Sequence, residues 1–175
     1  MRLLILCAAL TATMSLMSAE QAGGLKWTAP STWKTQGPRP MRAATYAIPA
    51  APGDKDAGEL AVYYFGPGQG GGVDANIKRW VGQFQRADGK SAAGLEKTAK
   101  RTINGLPVTT IDLSGTYTGA AGPMATEKVI KPGYRLLGAI VEGPEGGVFF
   151  KFTGPAKTVA ANSAAFEKLL NSVKK

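Results

Sequence analysis

The stretch from Gly58 to Phe84 constrains the fold of this chain more than any other part of the sequence. Its first segment, Leu60 to Phe65, is apolar and aromatic throughout, which is typical of a strand buried on both faces. The run stops at Gly66, Pro67 and Gly68, which together predict a bend. We therefore expect the chain to leave a sheet at this point.

An amphipathic helix is predicted to follow the bend. We expect Asp74 to cap its N-terminus, because a side-chain carboxylate can accept hydrogen bonds from the first free backbone amides. Apolar side chains then recur at i, i+3, i+4 and i+7, at Ile77, Trp80, Val81 and Phe84. An apolar stripe has to be covered, so this helix is expected to lie on the sheet.

The other patterned segments predict further strands and a closing helix. Strands are expected at 26–28, 42–49, 95–103, 108–117, 134–141 and 148–153. Asn104 and Gly105 predict a two-residue hairpin turn, and residues 118–133 are expected to form the longest loop. Gly154 and Pro155 should open one final helix, whose apolar stripe is Phe166, Leu169, Leu170 and Val173. This order predicts an α+β fold, a mainly antiparallel sheet with helices packed on its faces.

Residues 1–19 are predicted to be a signal peptide that is cleaved after Ala19. Arg2 precedes an uncharged apolar run that ends in small residues before Glu20. An uncleaved membrane anchor and a lipoprotein attached through Cys7 are the alternatives. After cleavage, residues 20–175 are expected to form a single domain with no transmembrane segment, located in the periplasm or secreted.

The inventory of reactive side chains excludes several chemistries from the predicted domain. The chain has 1 Cys and no His, and Cys7 lies in the predicted signal peptide. Disulfides, thiolate nucleophiles, Cys/His zinc sites and Ser-His-Asp triads are therefore excluded. We predict no cofactor and no metal site.

Two partial motif matches carry little weight. Gly66, Gly68 and Gly71 satisfy G-x-G-x-x-G, but hairpins follow where a dinucleotide-binding domain has crossovers, and no P-loop lysine is present. The acidic segment 54–59 begins like a calcium loop, yet Ala57 interrupts it and no ligands follow at the required spacing.

The charge of the chain bears on its partners. The net charge is +9, and the basic residues are scattered, with no run of four or more. A basic exported protein is expected to meet acidic proteins, anionic lipids or polysaccharides, and we expect no nucleic acid. The predicted partner is a protein or another component of the cell envelope, and the oligomeric state is left open.

The sequence also resembles the PsbP-like superfamily. The resemblance is carried by Trp27, Pro30 and Trp33 near the start, by the strand and helix of 59–84, by the hairpin strands and by the closing helix of 166–173. Members of this superfamily include the extrinsic photosystem II subunit and exported bacterial proteins of the DcrB type. The resemblance implies an αβα sandwich around an antiparallel sheet that acts as a non-catalytic binding or assembly module. It supplies no metal-binding or photosystem-binding residues.

These observations predict an exported, non-catalytic binding or accessory domain. Polar side chains on the glycine loop, the first helix and the later strands are its candidate contacts: Gln69, Arg79, Gln83, Arg135 and Lys151. Lys151 is the most unusual of them, since a charge between Phe150 and Phe152 in a patterned strand needs a reason. The alternative is a hydrolase of cell-wall or polysaccharide substrates, which requires two carboxylates about 5 to 10 Å apart in a cleft.

Overall fold

The computed structural model describes residues 20–119 and 128–175. The predicted signal peptide and residues 120–127 of the predicted long loop lie outside these ranges. The described strands are β1 Glu20–Ala22, β2 Leu25–Trp27, β3 Lys34–Thr35, β4 Ala44–Ile48, β5 Gly58–Tyr63, β6 Phe84–Gln85, β7 Lys97–Ile103, β8 Leu106–Tyr117, β9 Lys131–Gly143 and β10 Gly146–Pro155. The described helices are α1 Val73–Val81, α2 Ala156–Ala161 and α3 Ser163–Ser172.

Eight of these strands form one sheet. Its order is β3, β4, β5, β10, β9, β8, and both β6 and β7 pair with the outer edge of β8. The strand pairings within the described ranges are antiparallel, and β1 with β2 forms a separate hairpin. The fold is α+β with a mainly antiparallel sheet, as the sequence predicted.

The first face of the sheet carries the larger core. Phe150 and Phe152 of β10 are fully buried there against α2, α3 and β2. The indole of Trp27 is enclosed in this core and donates a hydrogen bond to the Tyr46 hydroxyl (2.9 Å). Trp33 donates a hydrogen bond to Asn162 Oδ1 (3.1 Å), and both tryptophans are part of this core.

The second face is covered by α1. Trp80 packs directly on Gly138 of β9, where an added Cβ would lie 2.5 Å from the indole ring. Phe149 and Ile140 complete this smaller core, and Phe84 reaches it from β6. Because α1 has nine residues and is about 14 Å long, it covers only part of the face. The alternation predicted for β10, with Phe149 and Lys151 opposite Phe150, is confirmed by this arrangement.

One turn prediction is confirmed by the structure, and one loop is shorter than predicted. Asn104 and Gly105 have φ of 50° and 78° between β7 and β8, which confirms the two-residue hairpin. The long loop was predicted too long, because β9 already begins at Lys131. Pro132 and Gly133 are accommodated there by a shift of register opposite Gly115 to Tyr117 in β8.

Two helix predictions were wrong in detail. The N-cap residue of α1 is Gly72 and makes no side-chain cap, whereas Asp74 lies inside the first turn. The predicted closing helix is divided at Asn162 into α2 and α3. The Asn162 side chain donates a hydrogen bond to Thr158 O and accepts one from the Trp33 indole. In the part of the chain that the structure describes, no helix has the length and apolar character needed to cross a membrane.

Candidate functional site

A concave basic cavity lies on the uncovered part of the second sheet face, beside α1. Its volume is about 500 Å³, and it adjoins a smaller cavity of about 250 Å³ under α1, which we call the helix-side cavity. Four cations and one acid line the basic cavity among the described residues: Arg39, Arg42, Lys131, Lys151 and Glu59. The two cavities share a common boundary formed by Met41, Tyr63, Phe65, Gln83 and Lys151.

Strand register explains why a cavity forms at this point. Lys151 of β10 lies opposite Ala61 of β5 on one side and opposite Gly138 of β9 on the other. Neither neighbour has a side chain large enough to fill the space above the sheet. Trp80 occupies the space above Gly138, and the space above Ala61 is left as the floor of the basic cavity.

Lys151 is the deepest polar group of the site. The residue is 9% exposed, its Nζ donates to Gln83 Oε1, and the centroid of the Tyr117 ring lies 5.3 Å from Nζ. Burial lowers the pKa of Lys151 to about 8, and the nearby positive charge of Arg42 acts in the same direction. No carboxylate within the described ranges forms an ion pair with this ammonium. It is therefore a buried cation held by neutral groups.

Arg42 forms the wall next to Lys151. Its guanidinium donates to Glu59 Oε1 (2.8 Å) and lies over the Tyr63 ring, 5.7 Å from the centroid. Arg39 reaches the other oxygen of Glu59 at 3.5 Å, so two arginines share one acid. The buried Nε of Arg42 has no hydrogen-bond partner among the described residues.

The far wall is organised by Asp56. Lys131 Nζ and the Tyr134 hydroxyl both donate to Asp56 Oδ2, at 2.7 and 2.8 Å. These hydrogen bonds lower the pKa of Asp56. Burial and the hydrogen bond to Asp56 raise the pKa of Tyr134, which stays neutral. The charge of Lys131 is thus already balanced.

The glycine loop supports the helix-side cavity. Asn76 Nδ2 donates to the carbonyl oxygens of Gly70 (2.8 Å), Gly71 (3.3 Å) and Gly72 (3.0 Å), and Asn76 Oδ1 accepts from Arg79 (2.8 Å). A phosphate-binding loop turns its amides toward the ligand, whereas here carbonyls converge on an amide side chain. Since β5 also pairs antiparallel on both sides, the loop is not a dinucleotide site.

The predicted contact residues divide into two groups. Arg79, Gln83 and Lys151 meet at the helix-side cavity. Gln69 lies in an exposed turn and lines neither cavity. Arg135 lies on the opposite face beside α3, where it makes a bidentate pair with Asp112 (2.8 and 2.7 Å). The five residues therefore do not form one surface, and their role in binding stays a prediction.

Sequence reasoning missed the arginine wall. Glu59, Ala61 and Tyr63 alternate on one face of β5, which marks that face as partly polar. The prediction that this strand is buried on both faces overlooked the polar character of that face. No local pattern connects Arg42 to Glu59, because their contact depends on the pairing of β4 with β5.

The acids of the segment 54–59 point to separate partners. Asp54 accepts from the backbone amide and hydroxyl of Thr158 and so caps α2, while Asp56 and Glu59 bind the cations described above. No group of three metal-ligating side chains occurs within residues 20–119 and 128–175. Glu59 is the one acid among the described lining residues, so this cavity gives no support to a two-carboxylate hydrolase.

Comparisons with known proteins define the fold of the chain. No family model matches the sequence, and no curated protein matches it. Among solved structures, the cyanobacterial PsbP protein CyanoP from Synechocystis sp. PCC 6803 matches over 95% of this chain and 97% of its own, with a TM-score of 0.51 and 10% identity. PA94 from Pseudomonas aeruginosa, a protein of unknown function, matches over 91% and 96% with a TM-score of 0.47 and 12% identity. The first of these similarities shows that the chain has a PsbP-like fold, as the resemblance implied.

Proposed function

We propose that this chain is an exported, non-catalytic binding domain of the cell envelope that holds an anionic group of its partner in the basic cavity. The observation that carries the proposal is the buried ammonium of Lys151, which lies at the cavity floor with neutral hydrogen-bond and ring contacts. The PsbP-like fold and the composition of residues 1–19 support an accessory role outside the cytoplasm.

Energetics explain why Lys151 suggests binding. A buried charge without a paired opposite charge destabilises a fold, and an apolar side chain of similar size would avoid that cost. Lys151 is 9% exposed on the second face of the sheet, between Ala61 and Gly138 of the neighbouring strands, where an unbranched apolar side chain could follow the same path. An anion that enters the cavity would compensate the ammonium of Lys151.

The electrostatics of the cavity favour one anionic group over a diffuse acidic surface. Asp56 already balances Lys131, and Glu59 balances one of the two arginines. Because Glu59 lies closer to Arg42 (2.8 Å) than to Arg39 (3.5 Å), the buried positive charge that lacks a carboxylate partner among the described residues is that of Lys151. Buried charges are screened by salt much less than exposed ones, so binding here should persist at moderate salt.

Capture of a partner from the envelope fraction tests the proposal. Residues 20–175 would be crosslinked to that fraction at low and moderate salt, and recovered proteins identified by mass spectrometry. We expect a specific partner to be recovered at both salts by the wild type and by Lys168→Met, which removes an exposed charge from α3. Lys151→Met should lose it. Equal recovery with Lys151→Met would refute the cavity as the binding site.

A further inference from the structure

We infer that the group bound in the two cavities is a small organic carboxylate with a flat apolar body, its carboxylate at Lys151 and its body in the helix-side cavity. The inference rests on the proposed function and adds the chemical class of the ligand.

The shape of the site favours a small molecule. Ligand pockets are concave, typically about 300 to 1,000 Å³, and mostly apolar with a few placed polar groups. The basic cavity, at about 500 Å³, lies in this range, and the helix-side cavity extends it. A depression of this size with a cation at its floor admits a compact group, whether that group is free or carried by the partner.

The anionic end of the ligand is defined by the ammonium of Lys151. Among the described residues, Gln83 is the one hydrogen-bond acceptor of its Nζ, which lines both cavities and has two further N–H groups to donate. Because Glu59 balances Arg42 and Asp56 balances Lys131, a single negative charge is enough to balance the ammonium of Lys151. A carboxylate supplies one charge and two acceptor oxygens for the N–H groups of this ammonium.

The apolar end is defined by aromatic side chains. Trp80 and Phe149 line the helix-side cavity, and Phe65 closes one side of it. Phe65 and Tyr63 are nearly parallel, with ring centroids 6.0 Å apart and an angle of 11°. Four aromatic side chains therefore line this cavity, and aromatic rings pack well against a planar apolar body.

Met41 provides a second observation at the mouth. It lines both cavities, is 63% exposed, and has a φ of 62°, a conformation that side-chain-bearing residues rarely adopt. Backbone strain of this kind concentrates at functional sites, where it sets the position of a side chain. Here it holds an apolar side chain at the junction of the basic and apolar ends, where it would contact the body of a bound ligand.

Binding of a carboxylate should be linked to the protonation of Lys151. The anion stabilises the ammonium, so it raises the pKa of Lys151 from about 8 in the free protein. Affinity should therefore be constant below pH 8 and fall about tenfold for each pH unit above it, until the pKa of the complex is reached. The other titratable groups that line the basic cavity among the described residues are Arg39, Arg42, Glu59, Lys131, Tyr63, Tyr117 and Tyr134. Burial raises the pKa of the three tyrosines, so they stay neutral in this pH range.

Calorimetric titration of residues 20–175 with benzoate, acetate and inorganic phosphate tests the inference. We expect benzoate to bind at least tenfold more tightly than acetate or phosphate, and Lys151→Met to lose at least tenfold in benzoate affinity. Trp80 should report the binding by a change of fluorescence that Trp80→Phe abolishes while heat is still released. Lys168→Met is the control and should bind like the wild type.

The outcomes separate this inference from the proposed function. Phosphate binding as tightly as benzoate, or benzoate affinity unchanged by Lys151→Met, would overturn the ligand class. If no probe binds but an envelope protein is captured through Lys151, the inference fails and the proposed function stands. If benzoate binds through Lys151 and no envelope partner is captured, the ligand class stands and the partner assignment fails.

Discussion

Replacement of Lys151 by methionine should stabilise the folded protein at neutral pH. Methionine is unbranched and flexible, so it can follow the path of the lysine side chain between the same neighbours. Burial lowers the pKa of Lys151 from its ordinary value of 10.5 to about 8. Since a tenfold change in proton affinity corresponds to about 1.4 kcal/mol, the charged form costs about 3 kcal/mol relative to the neutral form. The lost hydrogen bond to Gln83 offsets about 1 kcal/mol, which leaves an expected gain of about 2 kcal/mol.

The pH dependence gives this prediction a definite sign. Below pH 8 the lysine is charged in the folded and the unfolded chain, so the full cost of burial is present. Between pH 8 and 10.5 the unfolded chain binds a proton that the folded chain does not, and the stability of the wild type therefore rises with pH. The advantage of Lys151→Met should shrink over this interval. The raised pKa values of Tyr63 and Tyr117 lower stability above pH 10 in both proteins, so this effect cancels in the difference.

Urea unfolding of the wild type and of Lys151→Met at pH 7, 8, 9 and 10 measures the effect. Lys168→Met, which removes an exposed charge, should change the free energy of unfolding little at every pH. A difference between wild type and Lys151→Met that stays constant from pH 7 to pH 10 would refute the claim that this ammonium is desolvated.

Three further predictions concern the surroundings of the cavities. Gly138→Ala should destabilise the fold by about 1 to 3 kcal/mol in urea unfolding, because its Cβ would lie 2.5 Å from Trp80; no loss would mean that α1 is not held there. Asn76→Ala should cost about 1 to 3 kcal/mol and speed amide exchange at the N-terminus of α1, since the loop carbonyls lose their donor; unchanged exchange would contradict this. Asp56→Asn should lower the pKa of Tyr134, measured by ultraviolet titration of the phenolate, and an unchanged pKa would exclude their coupling.

Local patterns predicted the secondary structure well where neighbours in sequence decide it. The strand and bend that follow Gly58, the helix after them and the turn at Asn104 and Gly105 depend on adjacent residues, and the structure has them. The helix is shorter than predicted, because α1 ends at Val81 and Phe84, expected on its apolar stripe, lies in β6. The predicted cap of α1 was wrong because the helix begins at Val73, which puts Gly72 at the N-cap position and Asp74 within the first turn. The prediction of a single closing helix was wrong because the helix is interrupted at Asn162, whose side chain accepts a hydrogen bond from Trp33, a residue distant in sequence.

The candidate site could be predicted only in part. Lys151 was conspicuous because a charge interrupts an apolar strand, and that signal is local. The cavity itself depends on register, which places Ala61 and Gly138 beside Lys151 and Glu59 beside Arg42. Unless the strand pairing is known, the sequence does not show which of these side chains lie next to one another. Arg135 shows the converse, since an equally plausible strand cation lies on the other face and is neutralised by Asp112.

Site-specific photocrosslinking tests the central claim, that the partner is bound at the Lys151 cavity, most directly. A photoreactive amino acid would replace Met41 at the mouth of the cavities, and in a second variant Lys100, which is exposed on β7. After irradiation with the envelope fraction or its purified partner, we expect crosslinks from position 41 and none from position 100. Combination with Lys151→Met should abolish the crosslink from position 41. Crosslinking from position 100 alone, or an undiminished crosslink from position 41 in the combined variant, would contradict the account.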